Sequence, residues 1–415
     1  VVGGKYVYVR GLGDRYMNTQ LNGATLPSAD PDANTVPFDL FASDLLDNIV
    51  TVKTFTPDKP GDFSGGAVDL RTRESPPQAQ RSYSLSFGLN DAVAGHRILA
   101  APSTGTEWLG FGGSQRQLPG IVASAGRFDQ SYSGQEYSRF VGAFRNAWSA
   151  REAAGRPATS GSISVGGMRP WAGLELGYIG AFTYSYGQEV RADETRAFAV
   201  PNPDGGTDAV DRYAGTTGRE TALWGGVFNL STLVGTRSRL TFNNTFTRSA
   251  DNEARYEEGF DENTALPFQL TRLRYVQRAV ISSQLGGEHE LSDQHRLEWA
   301  VTGSRVNRAE PDRSEVAYAQ DDPNGAPFLF GSSEGSVRTF GDLSEHNVNA
   351  TADYAIRFGP AADHLLKFGA LGRYTSRDSR VDSYSLQTSL AREDRELAPE
   401  EIFGPRFTSS SADLF

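Results

Sequence analysis

The five histidines are the first residues to consider for metal or acid–base chemistry. They are His96, His289, His295, His346 and His364. His289 and His295 flank one predicted hairpin turn, and His364 follows another. A zinc site needs three or four ligands with suitable spacing, so polar residues at strand ends explain these histidines better than a metal pair does.

One acidic segment resembles the beginning of a calcium-binding loop. It runs through Asp30, Asp32 and Asn34. A calcium loop needs a glycine at its sixth position and a glutamate at its twelfth. This chain has Thr35 and Phe41 there, so the segment predicts a polar turn.

No arrangement in the sequence indicates catalysis. The chain has no cysteine, which excludes disulfides, thiolate metal sites and cysteine nucleophiles. No glycine-rich phosphate loop follows a strand, and no serine lies in a nucleophile elbow. We therefore expect a protein that is not an enzyme and carries no cofactor. The net charge of −11 argues against nucleic acid as a partner.

The strongest pattern is strict alternation of apolar and polar residues, which must be built on strands. In the segment 172–188 the apolar set is Leu174, Leu176, Tyr178, Phe182, Tyr184 and Tyr186. Glycine, glutamate, threonine and serine fill positions between them. Such alternation is typical of a transmembrane β-barrel, in which one face of each strand contacts lipid and the other faces a lumen.

From residue 82 onward the pattern predicts nine such strands. They cover 82–90, 160–168, 172–188, 221–234, 237–248, 270–289, 295–309, 346–358 and 364–376. Short turns alternate with long loops at 91–159, 189–220, 249–269 and 310–345, as in outer-membrane barrels. Bacterial single-chain barrels have even strand numbers, so nine strands suggest a fragment of a longer chain.

Residues 1–75 have a different character and predict a small mixed α/β domain. Strands are expected at Lys5–Arg10, Asn18–Asn22, Asn48–Phe55 and Ala67–Thr72, with a short helix at Ala42–Asp47 capped by Ser43. Residues 76–81 would link this domain to the barrel domain, 82–415. A small domain before a wide barrel suggests a plug in its lumen.

Three motifs give this domain a resemblance to a known family. They are VRGLGDRY at 9–16 followed by QLNG at 20–23, IVTVK at 49–53, and GDFSGGAVDLRTR at 61–73. In this order and spacing they resemble the plug of TonB-dependent outer-membrane receptors. The segment from Trp108 to Pro119 is similar to part of an outer loop in long-loop members.

The resemblance implies a barrel of about 22 strands closed around a plug, of which this chain would carry about nine or ten. It implies active import across the outer membrane of a Gram-negative bacterium. The cargo would be siderophore-bound iron, a vitamin or an oligosaccharide. An inner-membrane TonB complex would supply energy through a TonB box, which together with the first part of the plug would precede Val1.

Family architecture also suggests site residues. The candidate ligand contacts are Asp14, Arg15 and Tyr16 in a plug turn, and Trp108 and Phe111 in the longest loop. Plug–barrel contacts are expected from Arg10, Arg71 and Arg73 toward wall carboxylates such as Glu175.

Two other interpretations of the protein's function remain open, and neither identifies a ligand. A passive porin-like channel would need no plug motif. A signal-transducing receptor of the same fold would carry an additional N-terminal periplasmic domain.

Overall fold

The computed structural model describes residues 17–30, 36–55, 66–126, 128, 132–202, 204, 206–359, 364–410 and 414–415. Most of these residues belong to antiparallel β-strands. None of the described helices is long and apolar enough to cross a membrane.

All nine strands predicted beyond residue 82 are present, and they form one large sheet. Its strands, in spatial order, are β5 (Gln80–Gly88), β8 (Ala158–Trp171), β9 (Leu174–Pro201), β10 (Thr207–Val234), β11 (Ser238–Asp261), β12 (Leu266–Glu290), β13 (His295–Ala319), β15 (Ser336–Phe358) and β16 (His364–Ser385). The short strand β14 (Phe328–Leu329) pairs with the end of β13. Among the described residues no pairing joins β5 to β16, so the sheet is open.

The strands are much longer than predicted, and three of the expected long loops are wrong. Residues 189–220, 249–269 and 310–345 mostly continue the strands, and the connections shrink to 202–206, 262–265 and 320–335. The strand bounds were predicted from the alternation of apolar residues, and this alternation stops before the strands themselves end. Beyond it, ion pairs between neighbouring strands accompany the pairing, as between Arg219 and Glu253 at 2.6 Å.

The fourth expected loop, 91–159, also contains regular structure. It holds the hairpin of β6 (Arg97–Ala100) and β7 (Arg151–Ala154), helix α1 (Gly120–Ala125) and helix α2 (Gly134–Ala143). A reciprocal capping box between Ser133 and Glu136 begins α2, which satisfies two backbone donors of the first turn.

Residues 17–72 form a small four-stranded sheet. Its strands are β1 (Met17–Leu21), β2 (Ala24–Thr25), β3 (Leu46–Val52) and β4 (Gly66–Thr72), in the order β2-β1-β4-β3. Three of the four predicted strands are therefore found, and 5–10 lies outside the described residues. The predicted helix at 42–47 is only a 3₁₀ turn, Ser43–Leu45, and Ala42 rather than Ser43 precedes it, without a side-chain cap.

The large sheet has one apolar and one polar face, and the apolar face is the exposed one. Phe242, Leu285 and Val301 are direct cross-strand neighbours on this face, and all three are exposed. We call the following exposed residues of this face the apolar band: Tyr83, Leu85, Phe87, Ile163, Val165, Phe182, Phe228, Phe242, Phe246, Ile281, Leu285, Val301, Val348, Phe368 and Tyr374. It includes residues from all nine long strands.

The opposite, polar face is buried where the small sheet covers it. One row of direct neighbours, the polar rung, comprises Asn229, Asn243, Gln284, Thr302 and Asn349. Thr302 is 1% exposed, whereas the adjacent Val301 is 48% exposed. The sheet thus reverses the usual arrangement of soluble proteins, in which apolar residues are buried and polar ones exposed.

Beyond the apolar band, a helical cover packs on the same face. It consists of α1, α2 and the C-terminal helices α3 (Arg392–Arg395), α4 (Pro399–Ile402) and α5 (Pro405–Thr408). Its core includes Trp148, Phe403 and Phe407, with Val316 and Phe340 of the sheet.

Candidate functional site

Hydrogen bonds from the polar rung hold the small sheet on the polar face. Asn229 Nδ2 donates to the Thr72 hydroxyl at 3.1 Å and to the carbonyl of Arg73 at 2.8 Å. Gln284 Nε2 donates to the carbonyl of Asn22 at 3.0 Å. Side-chain amides thus satisfy groups of the small sheet that burial would otherwise leave unpaired.

The docking also involves two points of close apolar packing. Leu21 and Leu70 of the small sheet belong to one buried cluster with Val280, Val306 and Leu343 of the polar face. At a second point, a Cβ on Gly225 would lie 2.5 Å from Leu45 Cδ1, so a larger residue there would force the Leu45 side chain to move.

A dense set of arginines lies on the polar face between the small sheet and the far ends of the strands, at 202–206, 262–265 and 320–335. We call this set the arginine field: Arg196, Arg219, Arg255, Arg272, Arg274, Arg278, Arg308, Arg313 and Arg377. Unbroken register from the polar rung through β10, β11 and β12 places Arg219, Arg255, Arg272, Arg274 and Arg278 on this face.

Glu253 forms the first centre of the field. Its carboxylate accepts Arg219 Nη2 at 2.6 Å on one oxygen and Arg272 Nη2 at 3.0 Å on the other. Glu253 is 6% exposed, whereas Arg219 and Arg272 are 20% and 31% exposed.

Glu310 repeats this arrangement with three arginines. Arg274 Nε donates to it at 2.8 Å, Arg308 pairs with it at short range, and Arg313 lies 3.6 Å away. The carboxylate is again buried against the sheet, while Arg274 and Arg313 are half-buried with their side chains open to solvent.

A third shared carboxylate, Glu257, connects the field to aromatic residues near the ends of the strands. Arg196 pairs with Glu257 at 3.1 Å and Arg255 at 3.2 Å. The Arg196 guanidinium also lies 4.8 Å from the ring centre of Tyr213, which packs in a cluster with Phe268. Cationic and aromatic groups therefore adjoin on the same face.

Two of the predicted ligand-binding residues, Trp108 and Phe111, lie on the other face of the sheet. Their segment packs on β10 and β11 through the indole of Trp224, which donates to the carbonyl of Leu109 at 2.7 Å. Arg248 lies over the Phe111 ring at 4.3 Å. Both Trp108 and Phe111 are exposed, but the structure does not bring them together with the arginine field. Their contact with a ligand stays a prediction.

The other predicted residues divide into two groups. Arg10, Asp14, Arg15 and Tyr16 lie outside the described residues.

Arg71, Arg73 and Glu175 are described. Arg71 pairs with Asp69 at 3.2 Å, and Arg73 donates to the carbonyl of Asp44 at 3.3 Å. Glu175 is exposed, and its carbonyl accepts from Thr232. The ion pairs that we expected with Glu175 are not among the contacts of the described residues, so that role also stays a prediction.

A polar cavity of about 380 Å³ separates the two sheets near the short turns of the hairpins. Asp69 and Arg71 line it from the small sheet, and Arg239, Glu288 and Asp353 line it from the large sheet. Arg239 also reaches Glu74 at 2.9 Å. The contact between the sheets thus contains a cavity lined by charged residues at this end and is close-packed near Leu70.

Within the described part of the chain, no group of three or more potential metal ligands gathers. His289 contacts Ser238 and the Trp299 indole, and His295 contacts the Tyr354 hydroxyl. The acidic segment resembling a calcium loop falls mostly at 31–35, outside the described residues.

The arginine field was missed by the sequence analysis, although a signal exists. Arginine recurs at alternate positions in LTRLRYVQR (270–278), and acidic residues do so in DNEARYEE (251–258). Period-two alternation of charge places those residues on one face of a strand, as apolar alternation does. Comparison with protein-family models and with curated proteins finds no match for this chain.

Proposed function

We propose that this chain is part of a TonB-dependent outer-membrane receptor that imports a scarce ligand into the periplasm of a Gram-negative bacterium. The observation that carries the proposal is the reversed polarity of the large sheet. Its apolar face is exposed along nine strands, and its polar face holds a small separate sheet.

Lipid is the solvent that suits the apolar band. Soluble monomers rarely expose contiguous apolar patches larger than a few hundred Å², and this band includes residues from every long strand of the sheet. In a bilayer the band would be the lipid-facing surface, and the polar face would line a lumen. The proposal entails that β5 and β16 pair with further strands, because free sheet edges do not occur in lipid.

The small sheet would then be the plug. Its contacts with the wall combine hydrogen bonds such as Gln284 to Asn22 with the charged cavity beside Arg239. A polar, partly hydrated contact can be rearranged at lower cost than a continuous apolar core, because water replaces the lost hydrogen bonds. Pulling on an N-terminal TonB box, recognised by added-strand pairing, would supply the work.

The test uses the complete gene in a Gram-negative host. Uptake of iron chelates, vitamins and glycans is measured with the TonB box intact, and again with the box replaced by a glycine–serine segment of equal length. We expect one ligand to be taken up only with the intact box. Uptake that survives the replacement would identify a passive channel and overturn the assignment of 1–75 as a plug.

A further inference from the structure

The arginine field has hydrogen-bond donors that its carboxylates leave unused. Glu253 is shared by two arginines and Glu310 by three. Each guanidinium carries five N–H donors in a planar fork. The Nε atoms of Arg196 and Arg272 are buried without a hydrogen-bond partner among the described residues.

The acidic and basic side chains of the arginine field also differ in how far they are exposed to solvent. The shared carboxylates Glu253 and Glu310 are 6–7% exposed, and of the arginines around them only Arg308 is comparably buried, at 8%. The buried carboxylates thus orient guanidiniums that stay partly exposed, at 20% for Arg219, 31% for Arg272 and 32% for Arg274.

Guanidinium forks in this arrangement suit oxyanions. They bind carboxylate and phosphate groups through two parallel hydrogen bonds, with more geometric specificity than lysine provides. Adjacent centres at Glu253 and Glu310 are connected through Arg272 and Arg274, which are two residues apart on one face of β12. Two or more anionic groups of one ligand could be bound at once.

We propose that the arginine field binds a small solute carrying several carboxylate or phosphate groups, and that such a polyanion is the imported cargo. The second clause rests on the function proposed above. A neutral glycan could not form the charge-assisted hydrogen bonds that guanidiniums make with an oxyanion.

The test is calorimetric titration of the full-length protein, purified in detergent, with tricarballylate, pyrophosphate and neutral maltotriose. We expect one of the anions to bind, with an affinity that falls as salt concentration rises, and maltotriose not to bind. Tricarballylate and pyrophosphate distinguish a carboxylate from a phosphate cargo.

The variant Arg272→Gln/Arg313→Gln should weaken anion binding by about tenfold or more, because charge-assisted hydrogen bonds are lost. Both shared carboxylates keep a partner in this variant, Glu253 with Arg219 and Glu310 with Arg274. Arg380→Gln is the matched control. Arg380 pairs with Asp382 at 2.7 Å on the same strand, and its pairing with Asp342 puts it on the apolar side of the sheet.

Three results would overturn the proposal: wild-type protein that binds neither anion, equal binding by the double variant, or an equal loss in Arg380→Gln. If the double glutamine variant fails to fold, Arg272→Lys/Arg313→Lys keeps the charge and removes the planar fork, and we expect weaker binding from it also.

Binding in detergent needs no TonB complex. Uptake that ignores the TonB box would therefore defeat the proposed function without affecting the anion site, and failure of anion binding would leave energised import untouched.

Discussion

Arginine has different roles on the two faces of the large sheet. On the apolar side, under the helical cover, the guanidiniums of Arg116 and Arg338 are buried to 1% and 0% exposure. On the polar side, most guanidiniums of the arginine field are open to solvent and the carboxylates are buried.

The buried arginines are held by several partners within the fold. Arg338 pairs with Asp312 at 2.5 Å, donates to the carbonyls of Arg145 and Ala147, and lies 3.9 Å from the Trp148 ring centre. At 0% exposure this guanidinium is also out of reach of a ligand from solvent.

Arg116 is used in the same way at the beginning of the long loop. It pairs with Glu107 at 2.9 Å and donates to the carbonyl of Pro102 and to Asn252. On one face the cation itself is buried and serves the fold, whereas on the other the anion is buried beneath partly exposed cations, the surface for which we propose anion binding.

The largest effect is expected from Arg338→Leu. It leaves the buried Asp312 without its closest cation and removes donors from two carbonyls. Breaking a buried pair in this way typically costs about 3–5 kcal/mol. Thermal unfolding in detergent, with amide hydrogen exchange of α2, measures the loss. An unchanged midpoint would contradict the structural role, and Arg380→Leu is the exposed control.

A second comparison uses two exposed valines on opposite faces. Val301→Arg places a cation in the apolar band, and Val381→Arg places one on the polar side, where Val381 pairs with Gly341. If the band contacts lipid, Val301→Arg should cost about 2–4 kcal/mol at the bilayer midplane. Val381→Arg should lower the free energy of unfolding only slightly. Equal costs in lipid vesicles would mean that the band does not face lipid.

A smaller effect is expected from acidification, through Glu107. Burial alone would raise the pKa of Glu107, but hydrogen bonds from Ser103, Thr104 and Arg116 outweigh it and lower the pKa from its usual 4.5 to about 2. The ionised carboxylate is therefore favoured in the folded loop. Its contribution to the stability of the folded loop is complete above pH 4.5 and disappears as pH falls toward 2.

The matching measurement compares wild type with Glu107→Gln by limited proteolysis of the loop across this pH range. We expect wild type to be more resistant above pH 4.5 and the difference to shrink below it. A difference that stays constant down to pH 2 would show that ionisation of Glu107 does not anchor the loop.

The smallest stability effect is expected from Arg272→Gln in the arginine field. Glu253 keeps Arg219, and Arg272 is partly exposed, so the loss should stay below about 1 kcal/mol. Thermal unfolding of Arg272→Gln, measured in parallel with that of Arg338→Leu, tests this ranking of the two losses of stability. Equal destabilisation would make the field a structural network and remove the contrast between the faces.

The sequence alone determined the strands and their two faces. Alternation predicted the nine long strands, because residues two apart share a face of a strand. It also predicted three of the small-sheet strands at nearly the observed bounds. It could not give the strand ends, since ion pairs such as Arg196 with Glu257 connect residues that are distant in the chain.

The tertiary structure alone decided what each face contacts. Trp108 and Phe111 were chosen because they lie in the longest loop, but the position of a loop depends on packing such as that of Trp224 against Leu109. The arginine field needs register across β10, β11 and β12 to bring Arg219, Glu253 and Arg272 together. A strand carries its own periodicity, whereas a site composed of several strands exists only once their pairing is fixed.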